Sequence, residues 1–276
     1  MTRRPGEKLS KGQIKIWEAK YTKADYAALE PTERQRYFST AQLLNEIIML
    51  RLITSQALAG PEGPRPVAET SLALAFLGAR LLAGRITEAY SFIRGANFHR
   101  DHVAMLEKLR SDDPFKAKTH EHWNARERLD TYFAQPNPLI RRIRNKLAAH
   151  LDTPTIAAAF ELLPDDVEMH DFHSGLRGST FFGGADTLAA VAASHLAGTT
   201  EPYSGMHQAI SDASDLARDV SVVLESYLYC FIATRLGTRQ LAEAKQVTIS
   251  TASGAAARLR FYVDERRLDR ESSRTR

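Results

Sequence analysis

The stretch that decides the fold class is MHQAISDASDLARDVSVVLESYLYCFIATRL, residues 206–236. Apolar side chains recur in it every three or four residues, at Ile210, Ala213, Leu216 or Ala217, Val220, Val223 or Leu224, Tyr227 and Phe231. This spacing places them on one face of an α-helix, because a helix turns every 3.6 residues. The pattern predicts a long helix whose apolar stripe packs in a helical bundle. Cys230 lies beside that stripe and is interpreted as a buried thiol rather than a nucleophile.

Upstream of this stretch, apolar residues at the same spacing predict two more long helices, at 31–59 and 67–94. The sequence GPEGPRP at 60–66 separates them, because Gly and Pro interrupt helices. Residues 97–135 are predicted to form two shorter helices, split by SDDP at 111–114. Most of the chain therefore follows a helical period.

One segment breaks that period. Around SGLRGS, apolar and polar residues alternate instead of following a helical period. This pattern predicts a β-hairpin at about 166–183 as the only substantial β-structure. A helix is predicted to follow from 185. The predicted fold is mainly α, an up-and-down helical bundle over 31–236 with a small β-hairpin insert. Residues 1–30 are predicted to be a basic N-terminal arm with one amphipathic turn near 14–17, and 237–276 to be C-terminal helices and a basic tail.

Composition places the chain among soluble globular proteins. It has 276 residues, of which 43% are hydrophobic and 25% charged, and a formal net charge of +4. The most apolar run, 220–236, is interrupted by Glu225 and Arg235, and the basic N-terminus is not followed by an apolar stretch, so neither a membrane span nor a secretory signal is expected. The single cysteine excludes an intrachain disulfide, and a cytoplasmic location is expected.

The segment LIRRIRNKLAAHLD, residues 139–152, contains the strongest candidate site. Asn137-Pro138 predicts the start of its helix, with Asn as N-cap and Pro at the first helical position. On a helical projection one narrow apolar stripe is formed by Ile140, Ile143, Leu147 and Leu151. Arg144 and His150 fall on opposite shoulders of that stripe, where a side chain is partly desolvated yet reachable. A guanidinium there can hold a phosphate, and an imidazole can transfer a proton.

Two observations bear on the interpretation of Arg144 and His150 as a site. The same residues also fit a surface arginine plus a histidine at the negative end of a helix dipole. The Arg–His spacing occurs a second time in RGANFH, where Arg94 and His99 flank Gly95 at a predicted helix end, and we interpret that occurrence as incidental. The segment at 139–152 differs because Asn145 follows its arginine and because Arg141, Arg142 and Lys146 surround it, with Arg142, Asn145 and Lys146 expected to point furthest outward.

The sequence RNKLAAHLD resembles the signature of HEPN domains. In that signature an Arg is followed by a polar residue, and a His comes after four to six intervening positions. It is close to the form found in abortive-infection-type HEPN proteins. LLAGRITEAYSFIR at 81–94 is similar to the second bundle helix of those proteins, and the hairpin position is similar as well. The resemblance covers about residues 35–236.

This resemblance implies a dimeric four-helix bundle and a metal-independent endoribonuclease without a cofactor. The catalytic residues would be Arg144, His150 and Asn145. His150 would act as general base or acid while the RNA 2′-hydroxyl attacks, and Arg144 would stabilise the phosphorane charge. Arg141, Arg142 and Lys146 would bind RNA, and Asp152 would orient His150 or be a solvated residue at the helix end.

The partners expected are therefore RNA and a second copy of the chain, with two His150 residues facing one cleft. A phage-defence or toxin–antitoxin setting, with an antitoxin or regulatory partner, is also implied. The alternative is a non-catalytic HEPN-like RNA-binding or scaffold protein, and a third reading is a purely structural dimeric bundle. The histidine pairs His99/His102, His120/His122 and His170/His173 lack the further ligands of a zinc site, so no metal is expected.

Overall fold

The computed structural model describes residues 13–59, 63–109, 119–148, 152–173, 180–236 and 245–250. It confirms a mainly α protein with a small β-hairpin. In chain order the elements are β1 (Gln13–Glu18), α1 (Lys23–Ala27), α2 (Pro31–Leu58), α3 (Arg65–Arg94), α4 (Ala96–Lys108), α5 (Thr119–Ala134), α6 (Leu139–Ile143), a π turn (Arg144–Ala148), α7 (Thr153–Glu161), β2 (Asp171–Phe172), β3 (Phe181–Phe182), α8 (Gly183–Ala197), α9 (Ser204–Phe231), a second π turn (Ile232–Leu236) and β4 (Lys245–Ser250).

The long helices lie where the apolar period predicts them. Helices α2, α3 and α9 begin within two residues of the predicted positions, and the predicted stripe of α9 is buried from Ile210 to Phe231. Cys230 is buried, as predicted. Helix α3 is also long and apolar enough to cross a membrane, with a mean hydropathy of 1.4 over 18 residues, and 39% of that window is buried inside the protein. In sequence terms the best such candidate is therefore α3 rather than 220–236.

Two predictions about β-structure need correction. The hairpin is confirmed, since β2 pairs antiparallel with β3, but each strand has only two residues. It is not the only substantial β-structure, because β1 and β4 form a six-residue antiparallel pair. The predicted amphipathic turn near 14–17 is therefore a strand, and the predicted C-terminal helices are wrong for 245–250. The SGLRGS turn lies outside the described residues.

The chain divides into two compact units. Unit 1 is drawn from Met1–Ile48, Glu88–Gln135 and Leu216–Ala257, and unit 2 from Met49–Thr87, Pro136–Asp215 and Arg258–Arg276. Each unit thus combines three separate stretches, and its core depends on contacts between residues far apart in sequence.

The core of unit 1 is aromatic. Phe98 stacks on Tyr227 with ring centroids 4.4 Å apart, and Tyr37 packs against Phe231 at 5.0 Å. The buried Asp219 carboxylate accepts two hydrogen bonds from Arg128, at 2.9 and 2.6 Å. This two-point pairing satisfies a charge that would otherwise be costly to bury.

The core of unit 2 depends on small residues. Helices α6 and α7 both pack against α8, whose residues 189–193 are buried and mostly alanine. At Gly205 the start of α9 lies so close to α8 that an added Cβ would stand 2.4 Å from the Ala193 carbonyl oxygen. The Gly205 amide donates to the Ser194 hydroxyl at 3.0 Å, so glycine permits the approach that this hydrogen bond then holds.

Candidate functional site

Helix α6 anchors the candidate segment in unit 2. Its apolar side chains are buried, namely Leu139, Ile140 and Ile143, together with Leu147 of the following turn. The helix begins at Leu139 with Pro138 in the N-cap position, so the prediction that Asn137 caps it is wrong. Asn137 instead has a φ of 53°, a left-handed conformation that Asn adopts more readily than most residues.

The predicted continuous α-helix through 137–151 is also wrong. After Ile143 the backbone forms a π turn over Arg144–Ala148, in which hydrogen bonds span five residues instead of four. The angles assumed for an ideal α-helix therefore do not apply beyond Ile143. Arg144, expected on a partly desolvated shoulder, is exposed to solvent.

Arg144 and Asn145 form an exposed pair on the π turn. The Arg144 Nη1 atom donates a hydrogen bond to Asn145 Oδ1 at 2.9 Å. Asn145 can therefore restrain the guanidinium by acting as an acceptor. A guanidinium has five N–H donors, and this bond uses one of them, which leaves donors for an anion. The pair matches the chemistry required to hold a phosphate.

Asp152 has a structural role at the start of α7. One of its carboxylate oxygens accepts from the Thr155 amide at 3.1 Å, and the other pairs with Lys146 Nζ at 3.1 Å. Its own amide donates to the Lys146 carbonyl at 3.0 Å. The Thr155 and Lys146 hydrogen bonds hold the pKa of the Asp152 carboxyl below its ordinary value. His150 itself, with Ala149 and Leu151, lies outside the described residues, so its orientation by Asp152 stays a prediction.

The remaining basic residues differ from the expected outward patch. Arg142 is half-buried rather than pointing outward, and its Nη1 atom donates to the Leu196 carbonyl at the end of α8, while its buried Nε atom has no hydrogen-bond partner in the part of the chain that the structure describes. Arg141 is half-buried as well, whereas Lys146 is exposed. Arg142 therefore fastens α6 to α8, because the last carbonyls of a helix need donors from outside it.

The second Arg–His spacing lies in unit 1, with both side chains already paired. Arg94 donates to Asp130 Oδ2 at 3.3 Å, and Arg126 Nη1 lies 2.5 Å from His99 Nδ1. Because arginine can only donate, Nδ1 is the acceptor and His99 is neutral. Burial, with Arg126 adding to its effect, lowers the pKa of His99.

Two further histidines of unit 1 form a buried pair that sequence spacing alone does not indicate. The rings of His102 and His122 lie 4.2 Å apart and each is 1% exposed. His102 Nε2 is 3.2 Å from the Ser226 hydroxyl, while Nδ1 of each ring has no hydrogen-bond partner among the described residues. Burial lowers the pKa of His102 to about 2 and that of His122 to about 4, so both are neutral at pH 7.

In the described part of the chain, no group of three or more His, Cys, Asp or Glu side chains is placed to hold a metal ion. Comparisons with protein-family models, with curated proteins and with solved structures find no match for this chain.

Proposed function

We propose that this protein is a HEPN-type, metal-independent endoribonuclease, in which Arg144 holds the scissile phosphate and His150 transfers protons. The observation that carries the proposal is the exposed Arg144–Asn145 pair on a π turn, with Lys146 beside it. An oriented guanidinium at the surface can bind two phosphate oxygens at once. π turns inside helices are frequent at functional sites, which supports the same assignment.

The reaction balances without an added oxidant, metal or cofactor. A base removes the 2′-hydroxyl proton, the 2′-oxygen forms a bond to phosphorus, and the bond from phosphorus to the 5′-oxygen breaks as an acid returns a proton to that oxygen. The products are a 2′,3′-cyclic phosphate and a free 5′-hydroxyl. Arg144 stabilises the extra negative charge of the phosphorane, and imidazole is suited to both proton transfers near pH 7.

A homodimer would supply one imidazole for each of the two proton transfers. The motif gives each chain a single His150, and two-fold symmetry would place two such residues at one shared cleft. We propose that arrangement as part of the function. It predicts a dimer at micromolar concentration in light scattering, and a stable monomer that still cleaves RNA would contradict it.

The experiment uses the full chain with a fluorescent RNA oligonucleotide in excess EDTA. Wild type should cleave it and leave a 2′,3′-cyclic phosphate, and a 2′-deoxy sugar at the cleaved position should block the reaction. His150→Ala should slow cleavage by roughly 10²–10⁴, the usual contribution of a general acid–base group. His195→Ala, an exposed histidine on α8, is the matched control and should cleave at the wild-type rate.

Each alternative result has a definite meaning. Cleavage that requires Mg²⁺ or leaves a 5′-phosphate would contradict the proposed mechanism. RNA binding without any His150-dependent cleavage would instead favour the non-catalytic RNA-binding or scaffold function. Absence of both binding and cleavage would favour a purely structural bundle.

A further inference from the structure

A second site lies in unit 2, outside the candidate catalytic segment. A cavity of about 330 Å³ opens between α3, the residues that precede β2, and the first turns of α8 and α9. Its lining includes Asp186 and three aromatic residues, of which Phe76 and Phe181 are buried and Tyr203 is exposed. This volume lies at the lower end of the range for small-molecule pockets, which suits a ligand about the size of a nucleoside.

The cavity wall is held in place by specific contacts. Gly183 begins α8 directly against the residues before β2, where an added Cβ would stand 2.2 Å from the His170 carbonyl oxygen. Arg65 of α3 reaches the same segment, since its Nη2 atom lies 3.0 Å from His170 Nδ1. These contacts join α3 to α8 and to the segment before β2, so the cavity is part of the packed structure of this unit.

Most charged groups at the rim already have partners. Arg65 Nε pairs with Glu69 at 2.6 Å, and His170 Nε2 lies 3.4 Å from a Glu168 oxygen. Since Arg65 can only donate to His170 Nδ1, the ring is neutral when so bonded and its Nε2 carries the proton towards Glu168. These four side chains therefore interact with one another along the rim of the cavity. The Asp186 carboxylate on α8 is not part of this network and is left to accept hydrogen bonds from a ligand.

Asp186 is the exception. It lies in the first turn of α8 and is half-buried, and among the described residues its charge is influenced by burial and by Arg80, with no hydrogen bond contributing. Arg80 interacts electrostatically with Asp186, and the Arg80 guanidinium lies over the Phe76 ring, 5.2 Å from the centroid. Burial raises the pKa of Asp186 more than Arg80 lowers it. A half-buried carboxylate without hydrogen bonds is costly, and a ligand that donates to it would remove that cost.

The ligand chemistry follows from these groups. An ionised carboxylate only accepts hydrogen bonds, and its two oxygens match two adjacent N–H donors. The exposed Tyr203 ring favours a flat partner that can stack on it, and the buried Phe76 and Phe181 add apolar surface to the wall. Guanine combines both properties, because N1–H and the 2-amino group lie side by side on one edge of a planar base. Adenine places an acceptor nitrogen beside its amino group and would repel one carboxylate oxygen.

We propose that this cavity binds the guanine base of a nucleotide, with the Asp186 carboxylate accepting from N1–H and the 2-amino group. The base comes either from a free guanine nucleotide or from RNA, and the RNA source rests on the function proposed above. Asp186 is in the first turn of α8, and the Leu196 carbonyl that Arg142 binds is in its last turn. Ten residues at 1.5 Å each separate them by about 15 Å along the helix, so a bound base would lie near the candidate catalytic segment without occupying it.

The test measures equilibrium binding of GMP, IMP and AMP to the full chain by isothermal titration calorimetry. IMP keeps N1–H but lacks the 2-amino group, so the expected order of affinity is GMP, then IMP, then AMP. Asp186→Asn should weaken GMP binding by roughly 10- to 100-fold, the usual value of a two-point contact to a base edge. Glu161→Gln, an exposed carboxylate at the end of α7, is the matched control and should bind GMP as wild type does.

The remaining outcomes are decisive. Equal binding of GMP and AMP, no saturation at millimolar GMP, or unchanged GMP binding by Asp186→Asn would each overturn the proposal. If circular dichroism shows that Asp186→Asn does not fold, the order of the three nucleotides on wild type still decides. Tyr203→Ala, at the exposed rim, should then weaken GMP binding at least about fivefold through lost stacking.

A competition arm identifies the source of the base. The competitor is an RNA oligonucleotide with one guanine, made uncleavable by 2′-deoxy sugars. It displaces GMP if the base comes from RNA, and it leaves GMP bound if the ligand is a free nucleotide. Both outcomes keep the guanine site. Because binding is measured without cleavage, failure of this inference and failure of the ribonuclease proposal are separate results.

Discussion

In two places of the chain, Arg94/His99 and Arg144/His150, an arginine is followed by a histidine after four to six intervening residues, and the surroundings of the two arginines differ. Arg94 and His99 in unit 1 are bonded to Asp130 and Arg126, so their polar atoms are used within the protein. Arg144 in unit 2 is exposed and bonded only to its neighbour Asn145 among the described residues. Spacing therefore identifies candidates, whereas the partners of each guanidinium distinguish an internal ion pair from an available anion site.

The largest contrast is expected when the two arginines are substituted. Arg144→Ala should lower single-turnover RNA cleavage by about 10²–10³, as is typical when a donor to the transition-state charge is lost. Arg144→Lys should also be harmful, because lysine lacks the planar two-donor geometry. Arg94→Ala should change the rate by less than about twofold, since an exposed ion pair contributes little. A larger loss at Arg94 than at Arg144 would reverse the assignment.

The next-largest effect is expected from low pH, which should destabilise the protein through the two buried histidines of unit 1. In the folded protein the pKa values of His102 and His122 are about 2 and about 4, below their ordinary 6.5, because both rings are buried. The unfolded chain therefore binds more protons than the folded one, and the free energy of unfolding falls as the pH drops below about 6.5. The contribution of His122 is lost by about pH 4, and that of His102 at a lower pH still. The expected loss is on the order of 3 kcal/mol per imidazole at pH 4.

Urea unfolding at pH 7 and at pH 4, followed by circular dichroism, measures this loss. His102→Leu should flatten the pH dependence, because it removes one of the two titrating rings, and His195→Leu on the surface should not. If the free energy of unfolding is the same at both pH values in wild type, the two imidazoles are not buried as the structure shows.

A smaller contrast is expected within the basic segment itself. Arg142→Gln should cost about 1–2 kcal/mol of stability, because the Leu196 carbonyl loses its donor, and it should leave RNA affinity nearly unchanged. Lys146→Gln should instead weaken RNA binding and reduce the salt slope of log K by about 0.7, the value of one phosphate contact to a single strand. Fluorescence anisotropy at several salt concentrations and urea unfolding separate the two effects. The opposite pattern would show Arg142 to be the RNA contact.

The smallest effect concerns the cap that follows the candidate segment. Asp152→Ala removes the acceptor for the Thr155 amide and should lower Tm by about 2–4 °C, as expected for a lost N-cap. Asp152→Asn keeps an acceptor and should lower Tm less. If Asp152 also orients His150, both variants should slow cleavage as well, and an unchanged cleavage rate would limit Asp152 to the cap.

The helices could be predicted because their signals are local. The apolar period of α2, α3 and α9 and the break at 60–66 are visible within a few residues of sequence. Helix α7 was not predicted, although it has a local signal of the same kind, since Asp152-Thr-Pro combines an N-cap residue with a proline in the first turn. The π turn could not be predicted, because no residue type in Arg144–Ala148 favours a five-residue hydrogen bond over a four-residue one.

The remaining features depend on contacts across long sequence separations. His102 and His122 meet only because α4 and α5 pack in unit 1, and the Asp186 cavity exists only because α3 and α8 meet in unit 2. The strands β1 and β4 each have a local signal, since QIKIWE and KQVTIS both alternate apolar and polar residues. Neither segment indicates which other segment it pairs with. Sequence reasoning could therefore suggest Arg144 as a candidate but could not find the second cavity.

The β1–β4 pair also has a consequence for how the protein is made. Gln13 pairs with Ser250, and residues 19–244 separate the two strands in the sequence. During synthesis β1 emerges first and stays without its partner until β4 has left the ribosome, which is the period when unpaired strand edges associate with other chains. Closing so long a loop is slow relative to helix formation, so we expect this sheet to form after the helices.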